Sequence, residues 1–174
     1  LREPAEGLLG SGKLEVGEVT DTGGIDDKTF NQTAYRGIEL AIKELGIHGG
    51  YLESSQPTDY AKHITEYINQ KYDLIITVGF LIGEDTQKFA QQYPNQKFAI
   101  VDFAYDPIIP NVLGLTFATD EAAFLAGYLA AGMTETGKIG TFGGMDIPTV
   151  TVFMVGYANG AAYYNQVHGT NVQV

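Results

Sequence analysis

The chain has 174 residues, with 10 Lys and Arg against 21 Asp and Glu, for a net charge of −11. Hydrophobic residues make up 44% and charged residues only 18%, a balance that builds a core and argues against disorder. Electrostatic attraction supplies most binding to nucleic-acid phosphates and anionic lipids, so a chain this acidic is a poor partner for either.

Residues 1–12 carry no Met and no basic-then-apolar leader pattern, so either a removed leader or a start inside a longer protein is expected. Residues 14–20 alternate like a short strand and stop at Asp21-Thr22-Gly23-Gly24. Phe30, Ala34, Ile38, Ala41, Ile42 and Leu45 then recur at three- and four-residue spacing, which predicts one helix. Asp26 or Asp27 would cap its start and Gly46 its end. A weak strand is expected near Tyr51, followed by a helix capped by Thr58 and carrying Tyr60, Ile64, Tyr67 and Ile68.

Leu74-Ile75-Ile76-Thr77-Val78 is a continuous apolar run that ends at Gly79, the pattern of a parallel strand buried on both faces. A helix over about 83–93 leads to a strand at 98–101 that ends at Asp102, and 112–117 forms the next strand. Asp120 is expected to cap a helix over 122–131 that is apolar nearly all round. Residues 138–142 read as a strand ending in Gly143-Gly144-Met145. Pro148 opens a helix to about Tyr164, and 171–174 starts one more strand. Strand and helix alternate throughout, which predicts an α/β fold: a three-layer αβα lobe around a mainly parallel sheet. A last strand without a helix after it reads as part of a larger protein.

In open α/β sheets, ligands sit beyond the carboxyl ends of the strands. Here those ends read Asp21-Thr22-Gly23-Gly24, Gly79-Phe80, Asp102-Phe103 and Gly143-Gly144-Met145. Carboxylates accept charge-assisted hydrogen bonds, aromatic faces stack on flat rings, and glycines admit close backbone approach. That combination suits a neutral polyol with a planar group, such as a nucleoside, better than a phosphate. Asp and Gly are equally common as plain turn residues, so position alone leaves both readings open.

Other chemistries find little support. The chain has no Cys, hence no thiolate metal site, cysteine nucleophile or lipid-bearing cysteine as given. Gly10-Ser11-Gly12-Lys13 lacks phosphate-loop spacing, and the dinucleotide fingerprint does not follow the first strand. His48, His63 and His168 lie far apart and read as surface or helix-flank residues. Asp26 and Asp27 read first as a cap, with a metal or acid/base pair the alternative. Asn31-Gln32-Thr33 matches a glycosylation acceptor, but it falls within a predicted helix. The tyrosines at 60, 67 and 72 read as core or half-exposed packing.

The stretch Val19-Thr20-Asp21-Thr22-Gly23-Gly24-Ile25-Asp26-Asp27-Lys28-Thr29-Phe30-Asn31-Gln32 closely resembles the opening of the basic membrane protein family. These are substrate-binding lipoproteins of ABC transporters, purine nucleoside receptors among them. The resemblance continues through residues 73–80, 98–102, 120–128 and 143–146, in order. It implies a type I periplasmic-binding-protein fold, whose two lobes close on a ligand at a hinge. On that pattern, residues 13–119 form the first lobe and 120–174 the incomplete start of the second.

Residue by residue, the resemblance implies that Phe30 stacks on a base with Asn31 beside it, and that Asp21 bonds polar edges of the ligand. It places Asp102 at ribose hydroxyls, with Gly79, Phe80 and Met145 lining the cleft. Family members often carry a second acid after Asp102, and this chain has Phe103 there. The implied function is a non-catalytic receptor that needs no cofactor and no metal. It would capture a nucleoside, a purine by preference, for ABC permease subunits. Its place would be outside the cytoplasm, in the periplasm or on the cell membrane, held by a lipid anchor beyond this chain. Nucleic acid is not among the expected partners. The alternatives are a sensor domain of a signalling protein and a nucleoside hydrolase or phosphatase using Asp21, Asp26 and Asp27.

Overall fold

The computed structural model describes residues 13–174. The lead-in, including Gly10-Ser11-Gly12 of the rejected phosphate-loop stretch, lies outside the described residues. The chain divides into two compact units, one reaching Thr116 and the other spanning Phe117–Val174.

The first unit is a five-stranded sheet in the order β2-β1-β3-β4-β5: β1 (Glu15–Val19), β2 (His48–Leu52), β3 (Leu74–Val78), β4 (Lys97–Val101) and β5 (Val112–Leu115). All four strand pairings are parallel. Helices α1 (Phe30–Leu45), α2 (Thr58–Asn69) and α3 (Gly83–Gln92) cover the two faces, giving three layers. The β2 residue Gly49 faces Ile38 and Ile42 of α1, whereas Gly17 of β1 faces the Tyr67 ring of α2. Ile75, Phe98, Ile100 and Val112 share one pleat face with Val19. They form the main core with Tyr60, Ile64 and Tyr67 of α2 and Phe89 of α3. Each such aliphatic or aromatic side chain contributes roughly 1.5–3 kcal/mol on burial. The tyrosines thus pack as expected, with Tyr72 at the cluster's edge.

Of the two cap candidates for α1, the structure uses Asp27. Its Oδ1 accepts from the N–H of Thr29 and Gln32, and its Oδ2 from the N–H of Asn31. Gly46 closes the helix in the left-handed region at φ 68°, its N–H donating to the Ile42 carbonyl. Thr58 is not the cap of α2. It is the first helical residue, and the Asp59 carboxylate accepts from the N–H of Ser55 and Gln56 instead. Asp120 is likewise inside its helix rather than at its cap, because the helix starts one residue earlier, at Thr119. In the first turn it faces the positive end of the helix dipole with Glu121.

The second unit is a helix pair, α4 (Thr119–Met133) against α5 (Pro148–His168). A Cβ on Gly127, Gly156 or Gly160 would run into the carbonyl oxygens of Tyr157, Asp120 and Phe124, respectively. The helices therefore meet backbone to backbone, which only glycine permits. The strands expected at 138–142 and 171–174 reduce to a single parallel bridge between Lys138 and Gln173. With only each other as partner, two short segments do not hold a ladder. Among the described residues, no helix is long and apolar enough to cross a membrane.

A candidate ligand rim at the strand ends

The strand order places β1 and β3 side by side although the chain visits β2 between them. The crossover leaves β1 toward one edge of the sheet and returns toward the other, so the switch point lies between the carboxyl ends of β1 and β3. Asp21 follows β1 at this point, and Gly79 follows β3.

Gly79 is buried at φ 93°, ψ 165°, a backbone region essentially restricted to glycine. A Cβ there would lie 3.3 Å from both Asp21 Oδ2 and Phe30 Cε1. One carboxylate oxygen, one aromatic edge and one bare backbone thus converge within contact distance. The other oxygen, Asp21 Oδ1, is occupied: it accepts from the Gly23 N–H at 2.8 Å and from Asn31 Nδ2 at 2.7 Å. Among the described residues, Oδ2 accepts no hydrogen bond.

Asp102 directly follows β4, two strands from β1. It holds the left-handed φ of 59°, a strained choice for a residue other than glycine, while its N–H donates to the Leu115 carbonyl at 2.7 Å. Desolvation by burial pushes its carboxyl above the usual range. Among the described residues, its side chain has no hydrogen-bond partner. Phe80, which follows β3, meets Phe103 edge-on at 5.3 Å, and Phe103 meets Tyr105 edge-on at 5.0 Å; Phe103 and Tyr105 also pack against the main core. Tyr105 is fixed from behind by its hydroxyl, which donates to the Gly83 carbonyl at 2.6 Å. Phe103, the departure from the pattern of the resemblance, links Phe80 to Tyr105 and the core.

Asn31, expected beside the ligand, is 1% exposed and sits behind Asp21 with both amide hydrogens spent on carboxylates. The same burial removes it as a glycosylation acceptor. Met145 lies in the second unit, exposed in the loop that precedes α5. The histidines do not converge. His48 pairs with Glu15 on the surface at 3.0 Å, and His168 meets the Tyr128 hydroxyl. His63 corrects its surface assignment: it is buried against Ser54 Oγ at 3.2 Å, since its place on α2 faces the sheet.

The metal or acid/base reading of Asp26 and Asp27 also changes. Burial raises the Asp27 carboxyl, but hydrogen bonds from Asn31, Thr29 and Gln32 outweigh that and hold it below the usual range. All its acceptor capacity serves the fold. Among the described residues, no group of three or more His, Cys, Asp or Glu side chains could hold a metal ion.

Sequence reading also passed over Glu18. Glu15 and Glu18, three residues apart, fall on opposite faces of β1, and β1 is central with helices covering both of its faces. Glu18 is fully buried, with neither carboxylate oxygen partnered. The signal was available in the strand order implied by an α/β alternation, which buries the first strand on both sides.

A parallel α/β lobe with acceptors and aromatics at its switch point defines a ligand-binding lobe of the periplasmic-binding-protein kind. A family model described as "ABC transporter substrate-binding protein PnrA-like" matches residues 14–174. The chain is 37% identical to an uncharacterized lipoprotein of Pyrococcus furiosus, over 93% of this chain and 42% of that protein. It is also 37% identical to the ABC transporter nucleoside-binding protein BmpA of Lactococcus lactis, over 90% of this chain and 46% of that protein. The crystal structure of an ABC transporter solute-binding protein from Aeropyrum pernix superposes with a TM-score of 0.81 at 34% identity. That match covers 92% of this chain and 46% of the other. The chain belongs to the basic membrane protein family of ABC transporter substrate-binding proteins. It spans less than half the length of these relatives.

Proposed function

We propose that this chain contributes its strand-end rim to a non-catalytic receptor that captures a nucleoside, a purine by preference, for an ABC permease. The observation that carries this reading is the free Asp21 Oδ2 beside the Phe30 ring edge and the bare backbone of Gly79. In this reading Asp21 accepts from a donor on the base and Phe30 stacks on it. Asp102 takes ribose hydroxyls, while Gly79 and Phe80 line this lobe's side of the site. Residues 13–119 form the first lobe and 120–174 begin the second. The relative named a nucleoside-binding protein supports the ligand class, and the relative named a lipoprotein supports a lipid-anchored place outside the cytoplasm.

Stacking contributes roughly 1–3 kcal/mol per base where it has been measured in nucleic-acid sites. With a few charge-assisted hydrogen bonds, and the second lobe closing over the ligand, micromolar affinity (about −8 kcal/mol) is within reach. Catalysis would need an activated nucleophile or acid, and the commitment of Asp27 to the helix start argues against that role. Calorimetric titration of the full-length protein with inosine, guanosine and adenosine tests the proposal. Saturable binding that Phe30→Ala and Asp102→Ala weaken at least tenfold is expected. No heat with any of the three overturns the nucleoside assignment.

A further inference from the structure

We infer that Asn31 is a positioning residue, which sets the ligand-facing oxygen of Asp21 without touching the solute. The inference rests on the reading of this rim as the nucleoside site. Every polar hydrogen of Asn31 is spent inside the protein. Nδ2 donates to Asp21 Oδ1 at 2.7 Å and to Asp27 Oδ2 at 3.1 Å, and the main-chain N–H donates to Asp27 Oδ2 at 2.8 Å. Its Oδ1 accepts from the Asp21 N–H at 3.1 Å. Reversing the amide would aim its oxygen at two carboxylates, so the neighbours fix its orientation.

Asn31 therefore grips Asp21 twice, at the main chain and at the carboxylate. The grip is anchored in turn by Asp27, whose two oxygens hold the N–H groups of Thr29, Asn31 and Gln32 at the start of α1. Carboxylate torsions are broad and roughly two-fold, so an ungripped Asp21 would present either oxygen at many angles. With Oδ1 saturated by Asn31 and the Gly23 N–H, one oxygen is left, beside Phe30 and Gly79. Fixing a binding group before the ligand arrives removes an ordering cost from association. A capping role does not account for the Asn31 side chain, because the Asp27 carboxylate already serves the helix start.

The test uses the full-length protein with Asn31→Ala, Asn31→Ser, Asp21→Ala and the Asn31→Ala/Asp21→Ala double variant, titrated with inosine, guanosine and adenosine. Asn31→Ala should weaken binding about tenfold on its own and less than twofold further in the Asp21→Ala background. Asn31→Ser, which keeps a hydroxyl donor, should recover part of that loss. Additive losses would mean direct contact, and unchanged affinity with a lowered melting temperature would mean a purely structural residue; either overturns the inference. If the wild-type protein binds none of the three, the nucleoside reading fails, and ligand-free crystal structures decide the positioning role by themselves. They should show one Asp21 carboxylate orientation in the wild type and a displaced or split one in Asn31→Ala. An unmoved Asp21 in that variant overturns the inference.

Discussion

The side chain of Asn31 joins the end of β1 to the start of α1 by bonding both the N–H and the carboxylate of Asp21. Nine residues, 22–30, rich in glycine and aspartate, separate the two positions. Without the link the loop would pay heavily to hold a carboxylate in one place. With it, the rim at the β1–β3 switch point has a fixed acceptor beside an aromatic ring, and from this the predictions about binding follow.

Gly79→Ala should damage both fold and site. The native φ of 93° and ψ of 165° suit only glycine, and the new methyl group would press on Asp21 Oδ2 and Phe30. A loss of about 1–3 kcal/mol in urea unfolding is expected. If the proposed site is right, nucleoside affinity should also fall at least tenfold in calorimetry, because the methyl group fills the space beside Asp21 Oδ2 and the Phe30 ring.

Charge predicts discrimination against phosphorylated ligands. Asp21 and Asp102 bring negative charge to the rim of a chain whose net charge is −11. A nucleoside phosphate would bring like charge to these carboxylates. Competition assays should find inosine 5′-monophosphate at least tenfold weaker than inosine, with the gap narrowing as salt is raised. Equal affinities would mean that a cation elsewhere in the cleft pairs with the phosphate.

Glu18 should make stability fall with rising pH. Burial, with a smaller contribution from the charge of Asp27, pushes its carboxyl from the ordinary 4.5 up to about 8. The folded state thus keeps a proton that the unfolded chain releases above about pH 4.5. Stability is lost as pH climbs from there to about 8, and no more is lost beyond. The slope approaches about 1.4 kcal/mol per pH unit at most, and the whole effect is on the order of a few kcal/mol. Glu18→Gln should flatten the profile measured by urea unfolding at pH 5, 6.5 and 8; parallel profiles would contradict the assignment.

Two glycines should respond in opposite directions. Gly160 lies where α5 touches the backbone of α4, so Gly160→Val must push the helices apart and should cost about 1–3 kcal/mol or more. Gly37 sits inside α1 with open space where its Cβ would be. Gly37→Ala should therefore stabilise by about 0.5–1 kcal/mol through helix propensity. Thermal unfolding reads both.

The alternation of apolar runs and helical stripes made the sheet legible in the sequence, since Leu74–Val78 and Phe30–Leu45 emerge with the bounds their patterns imply. Helix starts were less legible. Asp27 serves N–H groups at the start of α1 from before the helix, whereas Asp59, inside α2, serves those of Ser55 and Gln56 ahead of it, and a short polar side chain gives little sign of which neighbour it serves. The strands at 138–142 and 171–174 were over-read because a strand's stability depends on partners that a local pattern does not reveal. At the rim, residue types at strand ends marked Asp21, Gly79 and Asp102. The division of labour between Asp21 and Asn31 was hidden, because it depends on which oxygen a buried amide occupies.

A crystal structure of the full-length protein with inosine tests the central claim most directly. The account predicts the purine ring against Phe30, a ring or exocyclic N–H donating to Asp21 Oδ2, and ribose hydroxyls on Asp102. Inosine bound elsewhere, with the rim at Asp21, Phe30 and Gly79 left untouched, would contradict it.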